Sequence, residues 1–112
     1  MEITEERKAD MLMLRIIGKL DASTSKGLED KILAVIGGGQ SKLIVNLSQL
    51  DYISSAGLRV FLLAAKRMNE TNGKFILCSL QDPVKQVFDI AGFSSFLTLA
   101  ASTEEAIKNF SG

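Results

Sequence analysis

Histidine is absent from this chain, and cysteine and proline occur once each. Without imidazole, a serine–histidine triad and every histidine-bearing zinc site are excluded. A lone thiol, Cys78, excludes an internal disulfide and a thiolate cluster; it ends an apolar run and reads as a buried cysteine. Neither sign of charge is in excess, since 13 basic and 13 acidic residues give a formal net charge of zero. Lysine and arginine are dispersed, not gathered into the basic stripe of a nucleic-acid binder, so no direct nucleic-acid contact is expected. Long apolar runs are missing too. Segments such as Met11–Leu14 and Val60–Ala65 are far shorter than the roughly 20 residues that cross a bilayer. The opening Met1-Glu2-Ile3-Thr4-Glu5-Glu6 is acidic where an export signal is basic and then apolar, which leads us to expect a cytoplasmic protein without direct membrane insertion. No P-loop or dinucleotide fingerprint is present. Gly37-Gly38-Gly39 follows a helical segment, not a strand, and reads as a helix stop.

What remains is one domain, 1–112, with 46% apolar residues and enough chain for a core. Residues 2–8, EITEERK, alternate weakly and suit a charged edge strand, with Ala9-Asp10 as a turn. In residues 11–17, MLMLRII, Leu12, Leu14 and Ile16 share the face expected to meet the core. Leu28, Ile32, Val35 and Ile36 fall on one stripe of a helix that Asp21, Ser23 or Thr24 could cap. Leu43, Ile44, Val45 and Leu47 read as a strand buried on both faces, followed by a polar connection in which Leu50 and Tyr52 are apolar anchors. A second helix starts near Ser54-Ser55-Ala56-Gly57 and runs to about Asn69, with Leu58, Leu62, Ala65 and Asn69 on one line widened by Phe61 and Met68. Residues 74–78, KFILC, make a further strand. Pro83 fits the first turn of a third helix, ended by Gly92. Residues 96–100 suggest a last strand, and a short terminal helix begins at Ser102 or Thr103. Strands separated by helices pair in parallel, while the first two strands are close enough to pair antiparallel. The fold class is α/β: a mixed, mostly parallel sheet with an N-terminal antiparallel edge strand and crossover helices.

The stretch KLIVNLSQLDYISSAGLR, from Lys42 to Arg59, places two adjacent hydroxyls where the chain passes into a helix. Backbone N–H groups are unpaired there and receive a side-chain oxygen or an anion. Ser54 or Ser55 can cap the helix; a phosphoryl group would add about −1.5 to −2 charge and acceptor oxygens that this helix end tolerates.

Here the chain resembles a known family. The exit Gly18-Lys19-Leu20-Asp21, the strand Ile44-Val45-Asn46-Leu47 and the run Asp51-Tyr52-Ile53-Ser54-Ser55-Ala56-Gly57-Leu58-Arg59 look like the STAS domain. Support continues in Asn72-Gly73-Lys74-Phe75 and in the run from Pro83 to Phe93. The single-domain size is similar to that of the bacterial anti-sigma factor antagonists. The resemblance implies a partner-switching protein: the unmodified form binds an anti-sigma factor serine kinase and frees the sigma factor. Phosphorylation blocks that binding, and a PP2C-type phosphatase restores it. The family pattern puts the phosphorylated hydroxyl on Ser55, the small residue on Ala56 and the glycine on Gly57. An aspartate precedes the hydroxyl in that pattern; here Ser54 stands in its place and is the secondary candidate for modification.

Crossover geometry gathers further candidates for a docking surface at the carboxyl ends of the strands. These are Asp21, Ser23 and Thr24 after one strand, Asp51, Ser54 and Ser55 after another, and Ser79 with Gln81 after a third. Arg59, one turn beyond Ser55, suits an acidic partner group, and Gly57 would let a partner backbone approach closely. Phe93 is a candidate apolar contact, whereas Tyr52 is expected in the core. No metal, cofactor or catalytic residue is expected, because no base is placed to activate a serine and no pair of carboxylates is set up as acid and base. The chain is expected to act as a monomer. A different class within the same family is the adaptor subunit of a lipid-trafficking ABC transporter, in which Ser55 would serve as cap or contact without switching.

Overall fold

Alternating apolar residues in the N-terminal third and the four short strands that follow build one sheet. The computed structural model describes residues 1–93 and 97–111. Its elements in chain order are β1 (Glu2–Lys8), β2 (Met11–Leu20), α1 (Ser25–Gly37), β3 (Lys42–Asn46), β4 (Leu50–Ile53), α2 (Ser55–Glu70), β5 (Lys74–Cys78), α3 (Asp82–Ile90), β6 (Thr98–Ala100) and α4 (Thr103–Ser111). The sheet runs β1-β2-β3-β5-β6, and β4 pairs with β2 off this path. Among the described residues only β1 and β2 pair antiparallel; the β2–β3, β2–β4, β3–β5 and β5–β6 pairs are parallel. The expected mixed sheet is therefore present. Residue 96, expected to open the last strand, lies outside the described residues, and β6 covers Thr98–Ala100.

Period-2 alternation determines the two faces. Leu12, Leu14 and Ile16 are buried on one face with Leu43, Val45 and Leu77. On that side lie Leu28 and Ile32 of α1, Leu58, Phe61, Ala64 and Met68 of α2, and Val84 and Phe88 of α3. The Phe61 and Phe88 rings stack with centroids 6.2 Å apart, tying α2 to α3. The opposite face is smaller, with Ile44, Ile76 and Cys78 covered by Ala106 and Phe110 of α4.

Four sequence expectations are corrected. The connection after β3 contains a strand, β4, in which Leu50 and Ile53 are buried while Asp51 and Tyr52 face out. A four-residue strand without regular alternation gives no period-2 signal to read. β2 also runs past Ile17 to Leu20, because Gly18 at φ +107° absorbs a register shift opposite β4. Tyr52, expected in the core, is 49% exposed. In α2 the buried stripe is centred on Leu58, Phe61, Ala64 and Met68; Leu62 and Ala65 are its half-buried border, and Asn69 is exposed.

The outer strand β1 is exposed, as its charges suggested. Glu5 pairs with Lys31 of α1, and Arg7 donates to the Gln40 side chain at 3.0 Å. Gly38 and Gly39, the latter at φ +96°, end α1.

Candidate functional site

The site is built where β2 and β4 end side by side. Leu20 is in register with Ile53, and the next residue, Ser54, donates its N–H to the Leu20 carbonyl at 2.9 Å. That bond holds Ser54 in extended backbone, φ −96° and ψ 173°, which is N-cap geometry. Its hydroxyl accepts from the Gly57 N–H at 3.4 Å, and its carbonyl accepts from the Leu58 N–H at 3.0 Å. Of the two serines, Ser54 is thus the cap. Ser55 is the first residue of α2 and is exposed. The N–H groups of Ser55 and Ala56 precede the first internal bond of the helix and have no intrahelical acceptor. No carboxylate lies in this first turn.

Gly57 is buried, and its role differs from the one expected. A Cβ placed there would lie 2.7 Å from Leu20 Cγ, 2.8 Å from Leu20 Cδ2 and 2.9 Å from Ile53 Cγ1. The missing side chain lets α2 sit directly on the ends of β2 and β4. The close approach is made by the protein's own core, so Gly57 is withdrawn from the docking surface.

The loop before α1 stands beside this helix end. The Asp21 carboxylate accepts from the Ser23 N–H at 2.9 Å, the Ser23 hydroxyl at 2.7 Å and the Thr24 N–H at 3.2 Å. In return the Thr24 hydroxyl accepts from the Asp21 N–H at 2.9 Å. Thr24 has the N-cap position but makes no side-chain cap bond; the Asp21 carboxylate holds the turn ahead of the helix, and the Asp21 carbonyl accepts from the Ser25 N–H at 3.0 Å. These bonds, the Ser23 hydroxyl foremost, hold the Asp21 carboxyl below its ordinary range.

Gln81, the residue before α3, links the third loop to the second. Its amide donates to the carbonyls of Ser48 at 3.1 Å and Leu50 at 2.9 Å, and to the Asp51 carboxylate at 3.2 Å. Asp51 is exposed at this same end. Ser79 lies on the sheet edge as expected but farther along it, at φ +61° and bonded through its N–H to the Ala100 carbonyl at 3.2 Å. The N-termini of α1, α2 and α3 therefore share one end of the molecule, each following the carboxyl end of a strand. Arg59 is exposed, and none of the ion pairs among the described residues includes it.

Phe93 does not join this group. It lines a groove with Leu62 and Asn69 in the later part of α2 and with Gly73 and Lys74 at the start of β5. α3 carries the chain back to the opposite end of the sheet, so Phe93 is far from the mouth of α2. The signals that sequence reading missed are the short β4, the Leu20–Ser54 bond and the packing reason for Gly57. The first depends on pairing with a distant strand, and the other two depend on how that pairing seats α2.

Residues 2–106 match the STAS domain. The chain belongs to the STAS domain family. Over 110 residues it is 37% identical to BtrV of Bordetella bronchiseptica, described as a candidate anti-sigma factor antagonist, with 98% of this chain and 95% of that protein covered. Among solved structures, a candidate anti-sigma factor antagonist from Thermotoga maritima shares the fold with a TM-score of 0.91 at 18% identity, covering 96% of this chain and 92% of that one. The anti-sigma factor antagonist SpoIIAA in its unphosphorylated form gives 0.75 at 24% identity, covering 99% of both chains. Its Bacillus structure in the phosphorylated form gives 0.74 at 23% identity, covering 97% of this chain and 99% of that one. Where the family resemblance leads one to expect an aspartate ahead of the first hydroxyl of α2, this chain has Ser54, and aspartate and serine are comparable N-caps. The exchange therefore keeps the cap and removes one negative charge beside Ser55.

Proposed function

We propose that this STAS protein is an anti-sigma factor antagonist that works as a reversible docking partner, without catalysis of its own. Its unmodified form binds an anti-sigma factor serine kinase and so releases a sigma factor. The kinase transfers the γ-phosphoryl group of ATP to Ser55 Oγ, releasing ADP and the hydroxyl proton, and the marked protein no longer binds. A PP2C-type phosphatase hydrolyses the ester and restores the docking form. The observation that supports this reading is the division of labour between the two serines. Ser54 is committed to capping α2, while Ser55 is exposed and unencumbered at the end of the molecule that also carries the Asp21, Asp51 and Gln81 loops. The family relatives named as antagonists favour this reading over the transporter adaptor.

The test is incubation with the cognate anti-sigma factor kinase and ATP, followed by intact-mass measurement and site mapping. One phosphate on Ser55, absent from Ser55→Ala, is expected, together with loss of kinase binding after modification. Phosphate on Ser54 alone, or unchanged binding by the modified protein, would overturn the assignment.

A further inference from the structure

We propose that Arg59 is the internal partner of a phosphoryl group on Ser55, gripping it across the first turn of α2. This rests on the reading of Ser55 as the modified hydroxyl. Residues four apart on a helix are neighbours, with Cβ atoms about 5–6 Å apart. Long helical side chains lean toward the helix N-terminus, a direction that would bring the Arg59 guanidinium to a phosphoryl group on Ser55. The planar guanidinium meets phosphate oxygens two at a time and is the better of the two basic groups for that purpose.

The surrounding charges leave Arg59 available. Lys26, the basic residue in the first turn of α1, is engaged with Asp30 at 3.1 Å and Glu29 at 3.6 Å. Two carboxylates at this end of the molecule are already supplied with donors: Asp21 by Ser23 and Thr24, Asp51 by Gln81. Asp82 belongs to the first turn of α3. Lys19, on the far side of Leu20, is in register with Tyr52 and not with Ser55. With serine at position 54, no carboxylate within the first turn competes for the guanidinium. Modification would then do two things to the docking face: add a dianion and withdraw its free arginine.

The experiment installs phosphoserine at position 55 during synthesis, so that no kinase is needed. A kinase that ignores Ser55 would overturn the proposed function and leave this measurement intact. The 31P resonance is titrated in the otherwise native protein and in Arg59→Gln, Arg59→Lys and Arg67→Gln. The phosphate's second ionisation, near pH 6 when unperturbed, is expected about half a unit higher in Arg59→Gln than in the native chain. Arg59→Lys retains part of the difference, and Arg67→Gln, at the other end of α2, matches the native protein. The helix end contributes equally to every variant and cancels. Coincident titrations of the native and Arg59→Gln proteins would overturn the proposal. A shift of equal size in Arg67→Gln would also overturn it, by showing that net charge alone is being read.

Discussion

Two serines of the same chemistry stand side by side and do different things because only one of them is tethered from behind. The N–H bond from Ser54 to Leu20 fixes its backbone for capping and leaves Ser55 as the first turn's outward hydroxyl. Ser54→Ala should cost about 0.5–1 kcal/mol of unfolding free energy, the low end for a lost cap because the bond is 3.4 Å long. Ser55→Ala should stay within about 0.5 kcal/mol of the native protein. Urea melts of the two variants check this, and an equal loss in both would contradict the assignment of roles. Ser55→Glu should fold at least as well as the native chain, by a few tenths of a kcal/mol, because it puts an acid at the helix N-terminus and four residues ahead of Arg59. The same variant should bind the kinase poorly, and a binding titration alongside the melt separates the two effects.

Gly57 shows how α2 is seated. In free helix, alanine is favoured over glycine by about 1 kcal/mol. Here the added methyl would meet Leu20 and Ile53 at under 3 Å, so Gly57→Ala should destabilise by about 1–3 kcal/mol. Combining it with Leu20→Ala should cost less than the sum of the two single changes, because the truncated leucine clears the space. Additive melting free energies would mean that the contact does not limit the approach. The Asp21 loop is the other support at this end. Its carboxyl titrates below its ordinary range when folded, chiefly through the Ser23 hydroxyl. The unfolded chain therefore takes up that proton first as pH falls, and stability present above this range is lost as pH drops through the lower, folded value. The stability gap between native protein and Asp21→Asn should narrow as pH falls below about 4, where the unfolded aspartate takes up its proton. These supports were legible unequally. Asp21, Ser23 and Thr24 could be read locally as alternative caps of α1, but their side chains bond within the turn and leave the helix without a side-chain cap. The reason for Gly57 could not be read locally, because it depends on Leu20, a residue on another strand whose neighbour β4 left no alternating pattern.

Across the whole molecule, the long periodic segments were readable because their apolar faces report burial directly: Leu12, Leu14 and Ile16, then Leu28 and Ile32, then Leu58, Phe61 and Met68. Tyr52 misled because an aromatic residue between buried Leu50 and Ile53 reads as core, yet in the irregular β4 it faces out together with Asp51. Phe93 misled because sequence proximity to α3 says nothing about which end of the sheet that helix returns to. Cys78 was read correctly, and it offers a measure of global opening. It is fully buried beneath α4, and burial pushes its thiol above the ordinary range. Its proton is held longer in the folded state, so this residue's contribution lowers stability as pH rises above about 9. Thiol-reagent labelling in native buffer should proceed at the rate of unfolding and accelerate with urea in step with the melt. Rapid labelling of the folded protein would show that α4 detaches independently.

The tether between Leu20 and Ser54, with α2 pressed onto bare Gly57 behind it, leaves little room for the mouth of that helix to relax when its outer hydroxyl is esterified. A mark written on such a mount is legible from outside and silent within. Backbone amide exchange and hydrodynamic size should be alike in the two forms, and the message should live wholly in whether a second protein can still touch the surface.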